Sequence, residues 1–330
     1  MQTYAREVLS AIAGLAPNAE LSALVQRDAS AELPLQVRAV ERPVSDGTRR
    51  ALRGVMPVLD AELVHGLDVD LPLICSGLRV ATVHDLAVFD VPWAFSRVRT
   101  VGERWLVRRT LQSADVLIAV SQFTADRVHA LSGRDCVVVN LAPAAWAQPP
   151  TQATMSRVLA AHRLPSRFVL HVGTVEPRKD VGVVAEACAD LDVPFVLAGA
   201  GSTGPRAPKG TVGLGYVDVA DLPSLYAAAS VVAYSSVYEG FGLPPIEAMA
   251  CGGAVVASAV GALPEVVGDG ASLVHRHHVS AWVDAMRPLL ADEGQATALR
   301  LSALSATRRL SWGKTASETL DAYRTAGIDL

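Results

Sequence analysis

Short apolar runs recur along this chain, separated by helical patterns, and that alternation constrains the fold more than any other feature. Strands that are hydrophobic on both faces must be covered on both faces. The cover available here is helix, so the pattern calls for parallel sheets wrapped by helices. In the first half the predicted strands are 21–25, 35–40, 63–65, 80–84, 116–120 and 137–140. In the second half they are 168–171, 195–198, 211–214, 231–234, 254–258 and 272–274. Between the halves, segment 147–153 holds Pro149, Pro150 and polar neighbours and reads as a linker. The expected architecture is α/β, with two doubly wound, Rossmann-like sheets facing across a cleft at the carboxyl ends of their strands.

At 330 residues the chain can bury two separate cores. With 51% hydrophobic residues, 19% charged residues and a net charge of −4, it lacks the basic surface of a nucleic-acid binder. No apolar run reaches the roughly 18 residues that cross a bilayer, and no charged-then-apolar leader opens the sequence, so a cytoplasmic protein is expected. Cys75, Cys136, Cys188 and Cys251 are scattered without C-x-x-C spacing, which points to buried thiols rather than zinc ligands or disulfides. The cluster His275-Arg276-His277-His278 has no Cys or acidic pattern beside it. It reads as a solvated loop, and no metal is expected.

The stretch richest in chemistry runs from Ser236 to Gly252, directly after the predicted strand 231–234. Gly240 and Gly242 allow a tight turn and close approach of a ligand to the main chain, while Pro244 and Pro245 suit the first turn of a helix. That helix is expected over 245–250, stopped by Cys251-Gly252. The N–H groups of Phe241, Gly242 and Leu243 are then left at the positive end of a helix, where anions bind. Glu239, before the turn, and Glu247, on the first helical turn, are predicted to look into one crevice. Two carboxylates beside an anion site would repel bare phosphate. They suit a polyhydroxyl ligand with phosphate in its middle, which describes a nucleotide-sugar. The plainer reading makes them solvated carboxylates that support the helix dipole by about 0.3–1 kcal/mol each.

A second charged loop, Gly173-Thr-Val-Glu-Pro-Arg178-Lys179, follows the first predicted strand of the second half. Arg178 offers a planar fork and Lys179 a compact charge, a pair that can neutralise a diphosphate leaving group. The segment Gly199-Ala-Gly201-Ser-Thr-Gly204 matches a dinucleotide-binding pattern, but that pattern must open a helix and Pro205 and Pro208 forbid one. It is expected to be a turn-rich loop.

Several segments together carry a family resemblance. They are Thr82-Val-His84-Asp85-Leu86, Ser113-Ala-Asp115-Val-Leu-Ile-Ala-Val-Ser121-Gln-Phe-Thr124, the loop 172–180, Gly261-Ala-Leu-Pro-Glu265-Val-Val-Gly268-Asp269, Leu310-Ser-Trp312-Gly-Lys-Thr315, and the Glu239 to Glu247 spacing. In this order, from about residue 55 to the end, the chain resembles the retaining glycosyltransferases of family 4, which have the two-domain GT-B fold. The resemblance implies transfer of a hexose, mannose or glucose in type, from a nucleotide-diphosphate sugar to a glycan or lipid-linked acceptor in polysaccharide biosynthesis, with no metal cofactor.

Roles follow from the resemblance residue by residue. Gly173, Arg178, Lys179, Phe241, Gly242 and Leu243 would hold the donor, with Arg178 and Lys179 on its diphosphate. Glu247 would accept from the ribose hydroxyls, and Tyr216 and Val217 would lie by the nucleobase. Glu239 would bind donor-sugar hydroxyls near the reacting carbon, and His84 would orient groups or handle a proton there, with Asp85 on the acceptor side. Whether Glu239 is also a nucleophile stays open, and a same-face route is preferred. Many relatives have Gly-Arg where this chain has Gly173-Thr174, and Asn where it has Asp180, which leaves open how the two cations divide the work. The implied domains are 1–150 on the acceptor side, 151–310 on the donor side, and a helix in 311–330 that crosses back to the first. Relatives open with a strand and glycine-rich loop before a helix like 4–13, whereas Met1 stands almost at that helix, so the first sheet is expected to lack its first strand. That departure makes a non-catalytic or partner-dependent nucleotide-sugar-binding subunit the alternative.

Segment 93–109 carries Arg97, Arg99, Arg104, Arg108 and Arg109 against a single Glu103, interleaved with Trp93, Phe95 and Trp105. Arg97, Arg104 and Arg108 share one helical face that can meet anionic lipid at the inner face of a membrane, or remain solvated. Ser121 and Thr124 are expected to open a helix, as N-cap residues first.

Overall fold

A computed structural model describes residues 2–44, 56–58, 60–275 and 277–329; Arg276 of the histidine cluster lies outside them. The chain forms two compact units, one of residues 1–141 with 310–330, the other of 142–309. The division falls at Leu141 and Ala142, upstream of Pro149-Pro150, and Ala142, Ala144 and Ala147 are already buried.

In the first unit the strands are β1 (Leu21–Gln26), β2 (Val37–Arg42), β3 (Leu63–Gly66), β4 (Leu78–Val83), β5 (Val116–Ala119) and β6 (Val137–Val138). The helices are α1 (Gln2–Leu15), α2 (Ala87–Asp90), α3 (Arg97–Ser113) and α4 (Gln122–Ser132), together with a C-terminal helix (Trp312–Thr325) that packs along α1. Strands β3-β4-β5-β6 make one parallel sheet, whereas β1 and β2 pair only with each other. The single first sheet expected from the sequence is therefore two sheets. Of the residues in β1 and β2 only Val37 is buried, so no core draws these strands into the larger sheet. The core gathers instead Ala81 and Val83 of β4, Leu117 of β5, and Val107 and Leu111 of α3. Beneath α1 the Tyr4 and Thr82 hydroxyls meet at 2.9 Å; His65 Nε2 lies 2.8 Å from Thr82 Oγ1, and its Nδ1 lies 2.6 Å from the Tyr323 hydroxyl. This relay joins α1, β3, β4 and the C-terminal helix. Burial lifts the Tyr4 phenol to about 12 and, aided by the nearby charge of His84, holds His65 down at about 3.

The second unit contains β7 (Val169–Val172), β8 (Phe195–Ala198), β9 (Val212–Gly213), β10 (Val231–Tyr234), β11 (Val255–Ser258) and β12 (Ala271–Val274). Its helices are α5 (Gln152–Ala161), α6 (Val181–Asp190), α7 (Leu222–Ala228), α8 (Leu243–Ala250), α9 (Leu263–Val267), α10 (Val279–Ala291) and α11 (Glu293–Thr307). The sheet order is β12-β11-β10-β7-β8-β9, parallel throughout. Strands β8, β10 and β11 are buried at every position, as two-sided helical cover requires. From β7 the chain first builds outward through β8 and β9, then returns to lay β10 on the other side of β7. Such a reversal opens a crevice at the carboxyl ends of the two central strands, where parallel α/β sheets bind ligands. The rejected dinucleotide segment after β8 is turn, not helix, with Gly199 and Gly201 at φ 128° and 81°.

Candidate active site

Both charged loops leave the sheet at this reversal. After β7, Gly173 adopts φ 150°, and its carbonyl comes so close to Gly199 that a Cβ there would sit 2.3 Å from it. Pro177–Lys179 then form one 3-10 turn, and Asp180, at φ 36°, starts α6. After β10, the Ser235 hydroxyl donates to the Lys179 carbonyl at 2.8 Å and the Val237 N–H to the Arg178 carbonyl at 2.9 Å. These bonds stitch the two loops together and aim their side chains at one another.

Glu239 is the centre of the cluster. Its carboxylate is buried and accepts from Lys179 Nζ, from Ser236 Oγ at 2.6 Å and from Arg178 Nη1 at 3.4 Å. The same Arg178 donates to the Tyr238 carbonyl at 2.9 Å and to Glu176 at 3.0 Å. Burial alone would raise the Glu239 carboxyl; the charges of Lys179 and Arg178, with the hydrogen bonds from Lys179 and Ser236, outweigh it and hold the group below its ordinary value. Glu239 is therefore an anion at neutral pH, flanked by two cations that a more highly charged anion can recruit.

Three residues further on, Gly242 caps α8 at φ 99°, with no side-chain cap. Pro244 and Pro245 have no N–H to offer, and the N–H groups of Phe241, Gly242 and Leu243 have no acceptor among the described residues. Phe241 is buried and Leu243 half-buried. The helix starts at Leu243 rather than 245, because a proline at its second and third positions breaks no hydrogen bond. Glu247 therefore falls on the second turn, a correction to the first-turn position expected. It is buried, and its charge adds to burial in raising the phenols of Tyr226 and Tyr234.

The structure thus brings Arg178, Lys179 and Glu239 into contact and sets Gly173 and the open end of α8 on the same side of the sheet. Tyr216 is 90% exposed while Val217 is buried, both in the loop after β9. In the first unit, His84 follows β4 and its Nε2–H donates to the Leu67 carbonyl at 2.9 Å, leaving Nδ1 as the acceptor nitrogen. Burial, against the pull of that carbonyl, holds the ring down at about 4, so it is neutral at pH 7. Asp85 is exposed and accepts from the Ala87 N–H at 2.9 Å, opening α2. Ser121 is the N-cap of α4, accepting from the Thr124 N–H at 3.1 Å. Arg104 does not present a free guanidinium: its Nε donates to the Val88 carbonyl at 2.8 Å. It stacks on Phe89 together with Arg108.

Sequence reasoning assigned no role to four residues of this cluster. Ser236 lies three positions before Glu239, a spacing that could have suggested a hydroxyl donor; Glu176 shares Arg178. Gly261 presses on the Glu239 backbone so closely that a Cβ would come within 2.2 Å of its carbonyl oxygen. His171, on β7, is buried with Nδ1–H donating to the Ala233 carbonyl at 3.0 Å and Nε2 unpartnered. Burial holds that ring down at about 4.

The family model described as glycosyl transferases group 1 matches residues 157–305, which contain this whole cluster. The chain is 32% identical over 267 residues to O-antigen chain mannosyltransferase B of Escherichia coli, covering 74% of this chain and 70% of that protein. It is 33% identical over 283 residues to D-inositol 3-phosphate glycosyltransferase of Actinosynnema mirum, covering 77% of this chain and 66% of that protein. Among solved structures, HepE of Anabaena in complex with UDP and glucose has a TM-score of 0.72 at 18% identity, over 97% of this chain and 95% of that one. At that identity the likeness is one of fold.

Proposed function

The chain belongs to the group 1 glycosyl transferases and has the GT-B fold, and within that family we propose a retaining enzyme of family 4 that moves a mannose- or glucose-type hexose from a nucleotide-diphosphate sugar to a glycan or lipid-linked acceptor. The observation that carries this reading is the buried Arg178–Glu239–Lys179 cluster beside the uncapped end of α8, at the point where the strand order reverses. A donor needs positive charge for its diphosphate next to an acceptor group for its sugar hydroxyls, and this arrangement supplies both within one unit. The named activities of the Escherichia coli and Actinosynnema mirum proteins, and the UDP and glucose in HepE, support the same class of donor and reaction.

In this reading Lys179 and Arg178 turn from Glu239 toward the diphosphate, and the N–H groups of Phe241, Gly242 and Leu243 hold phosphate oxygens over Gly173. Glu239, released from the two cations, accepts from the sugar hydroxyls, Glu247 from the ribose, and Tyr216 and Val217 flank the base. The acceptor hydroxyl attacks the anomeric carbon on the face from which the diphosphate leaves. The bond to phosphate breaks with its electron pair going to the diphosphate, which takes the acceptor's proton. His84, neutral with Nδ1 open, orients the acceptor hydroxyl, with Asp85 beside it. No metal is needed in this scheme, because the two cations and the helix end meet the developing charge. A lipid-linked acceptor would place the reaction at the inner face of the membrane. A partner subunit that binds donor without transferring it is not favoured.

The test is transfer and donor hydrolysis across a set of nucleotide-sugars, with and without EDTA, followed by product stereochemistry. Wild-type turnover with one donor is expected to survive EDTA and give a retained anomer. Glu239→Ala and Lys179→Ala are each expected to lose at least about a hundredfold in kcat/KM. Full activity in both variants would remove the site.

A further inference from the structure

The face of α3 turned to solvent is wider than the arginine spacing suggested, and part of it is apolar. Val98, Val101 and Trp105, at i, i+3 and i+7, are 79%, 71% and 57% exposed, and Trp93 just before the helix is 63% exposed. Singly exposed apolar residues are ordinary, but a stripe of this kind along one helix is not. Gly102 continues the open side, with no atom near its Cβ position. Two further exposed residues, Leu73 and Ile74, follow directly on the Leu71 and Pro72 carbonyls that Arg109 binds at 2.7 and 2.6 Å.

The charges sort around this stripe by what they touch. Arg104 and Arg109 are spent on backbone carbonyls, and Arg99 pairs with Glu103 at 2.6 Å. Arg97 and Arg108 are exposed and have no acidic partner among the described residues. Arg97 precedes the stripe and Arg108 ends it, one turn after Trp105. In a chain of net charge −4, this helix holds five arginines against one glutamate. A tryptophan-containing apolar stripe bounded by two exposed guanidinium groups, that of Arg108 lying over the Phe89 ring, is complementary to one surface above others: an acyl-chain boundary under anionic headgroups.

We propose that α3 is an interfacial docking element, which inserts Val98, Val101 and Trp105, with Trp93, at the headgroup boundary of an anionic bilayer while Arg97 and Arg108 engage lipid phosphates. The proposal rests on side chains of the first unit and not on the donor cluster of the second, so either can fail alone. It removes Arg104 from the lipid-facing set.

The experiment is flotation of the full chain with vesicles of phosphatidylcholine alone or of phosphatidylcholine with phosphatidylglycerol, read beside tryptophan quenching by brominated acyl chains. The wild type is expected to float only with the anionic vesicles and to be quenched by the brominated lipid. Val98→Ser, Val101→Ser and Trp105→Ser combined should lower binding at least about tenfold, and Arg97→Glu with Arg108→Glu should abolish the preference for phosphatidylglycerol. Because these side chains are exposed, thermal melting and donor hydrolysis in solution should be unchanged in both variants. Arg104→Gln should keep its binding. No flotation of the wild type, equal flotation with neutral lipid, unchanged binding in the serine variant, or a dimer in solution that the serine variant dissolves without any flotation would each overturn the proposal.

Discussion

Lys179 Nζ and Glu239 Oε1 are hydrogen-bonded across 60 residues of sequence, from the ends of two strands that lie side by side in the second unit. Both side chains are nearly buried, and Ser236 and Arg178 complete the shell of the carboxylate. The pair is at once a structural link between β7 and β10 and the charge store that the proposed reaction draws on.

Removing one partner leaves a buried charge short of its counter-ion. Lys179→Met should cost about 3 kcal/mol in urea unfolding, whereas Lys179→Met with Glu239→Gln should recover most of that loss, since no unpaired charge remains. Activity should not recover with it. A double variant as unstable as the single one would show that the link works by packing rather than by charge.

Gly261 tests the position of the Glu239 backbone. It lies at φ 57° with its Cβ position 2.2 Å from the Glu239 carbonyl oxygen, whereas Gly133, left-handed at φ 71° and ψ 9°, has nothing near. Gly133→Ala should therefore cost only the left-handed strain of about 1–2 kcal/mol. Gly261→Ala should cost clearly more and reduce turnover as Glu239 shifts. Equal melting temperatures for the two would contradict the contact.

Acid should weaken the fold through its neutral histidines. The folded protein holds His65 down at about 3, and His84 and His171 down at about 4, while the unfolded chain protonates each near 6.5. Between those values the unfolded state binds more protons, so stability rises with pH across about 4 to 6.5 and is complete above that range. Each such group contributes a slope of roughly 1.4 kcal/mol per pH unit. His171→Asn should flatten the curve by about one proton in unfolding midpoints measured across the window. An unchanged slope would mean that this ring is protonated in the fold.

Asp180 sits at φ 36° immediately after Lys179, and its carboxylate meets His277 Nε2 at 2.7 Å. Asparagine tolerates this backbone and can still bond the ring, so Asp180→Asn should stay within about 0.5 kcal/mol of wild type. Asp180→Val, β-branched at positive φ, should lose about 1–3 kcal/mol and raise KM for the donor by displacing Lys179. Equal donor KM in both variants would separate this turn from the site.

Much of this was legible in the sequence. Every predicted strand forms, and in the second unit a short β-branched run has little choice when helices cover it on both sides. The proline-opened helix after Gly242 and the Ser121 cap also follow from local chemistry. The split of β1 and β2 from the larger sheet was not legible, since two half-exposed strands carry the same pattern whichever partner they take. The service of Arg104 to the Val88 carbonyl was hidden for a similar reason: helical spacing places a side chain on a face but does not say which backbone group lies within its reach.

The sequence by itself determined the elements, the glycine turns and the residue types on each loop, for these depend on sterics and hydrogen bonding within a few neighbours. Only the tertiary structure decided that the loop after β7 and the loop after β10 share one buried ion cluster. That outcome depends on the order in which strands are laid into the sheet. The reversal between β9 and β10 makes neighbours of strands far apart in the chain, and no local preference encodes such a distance.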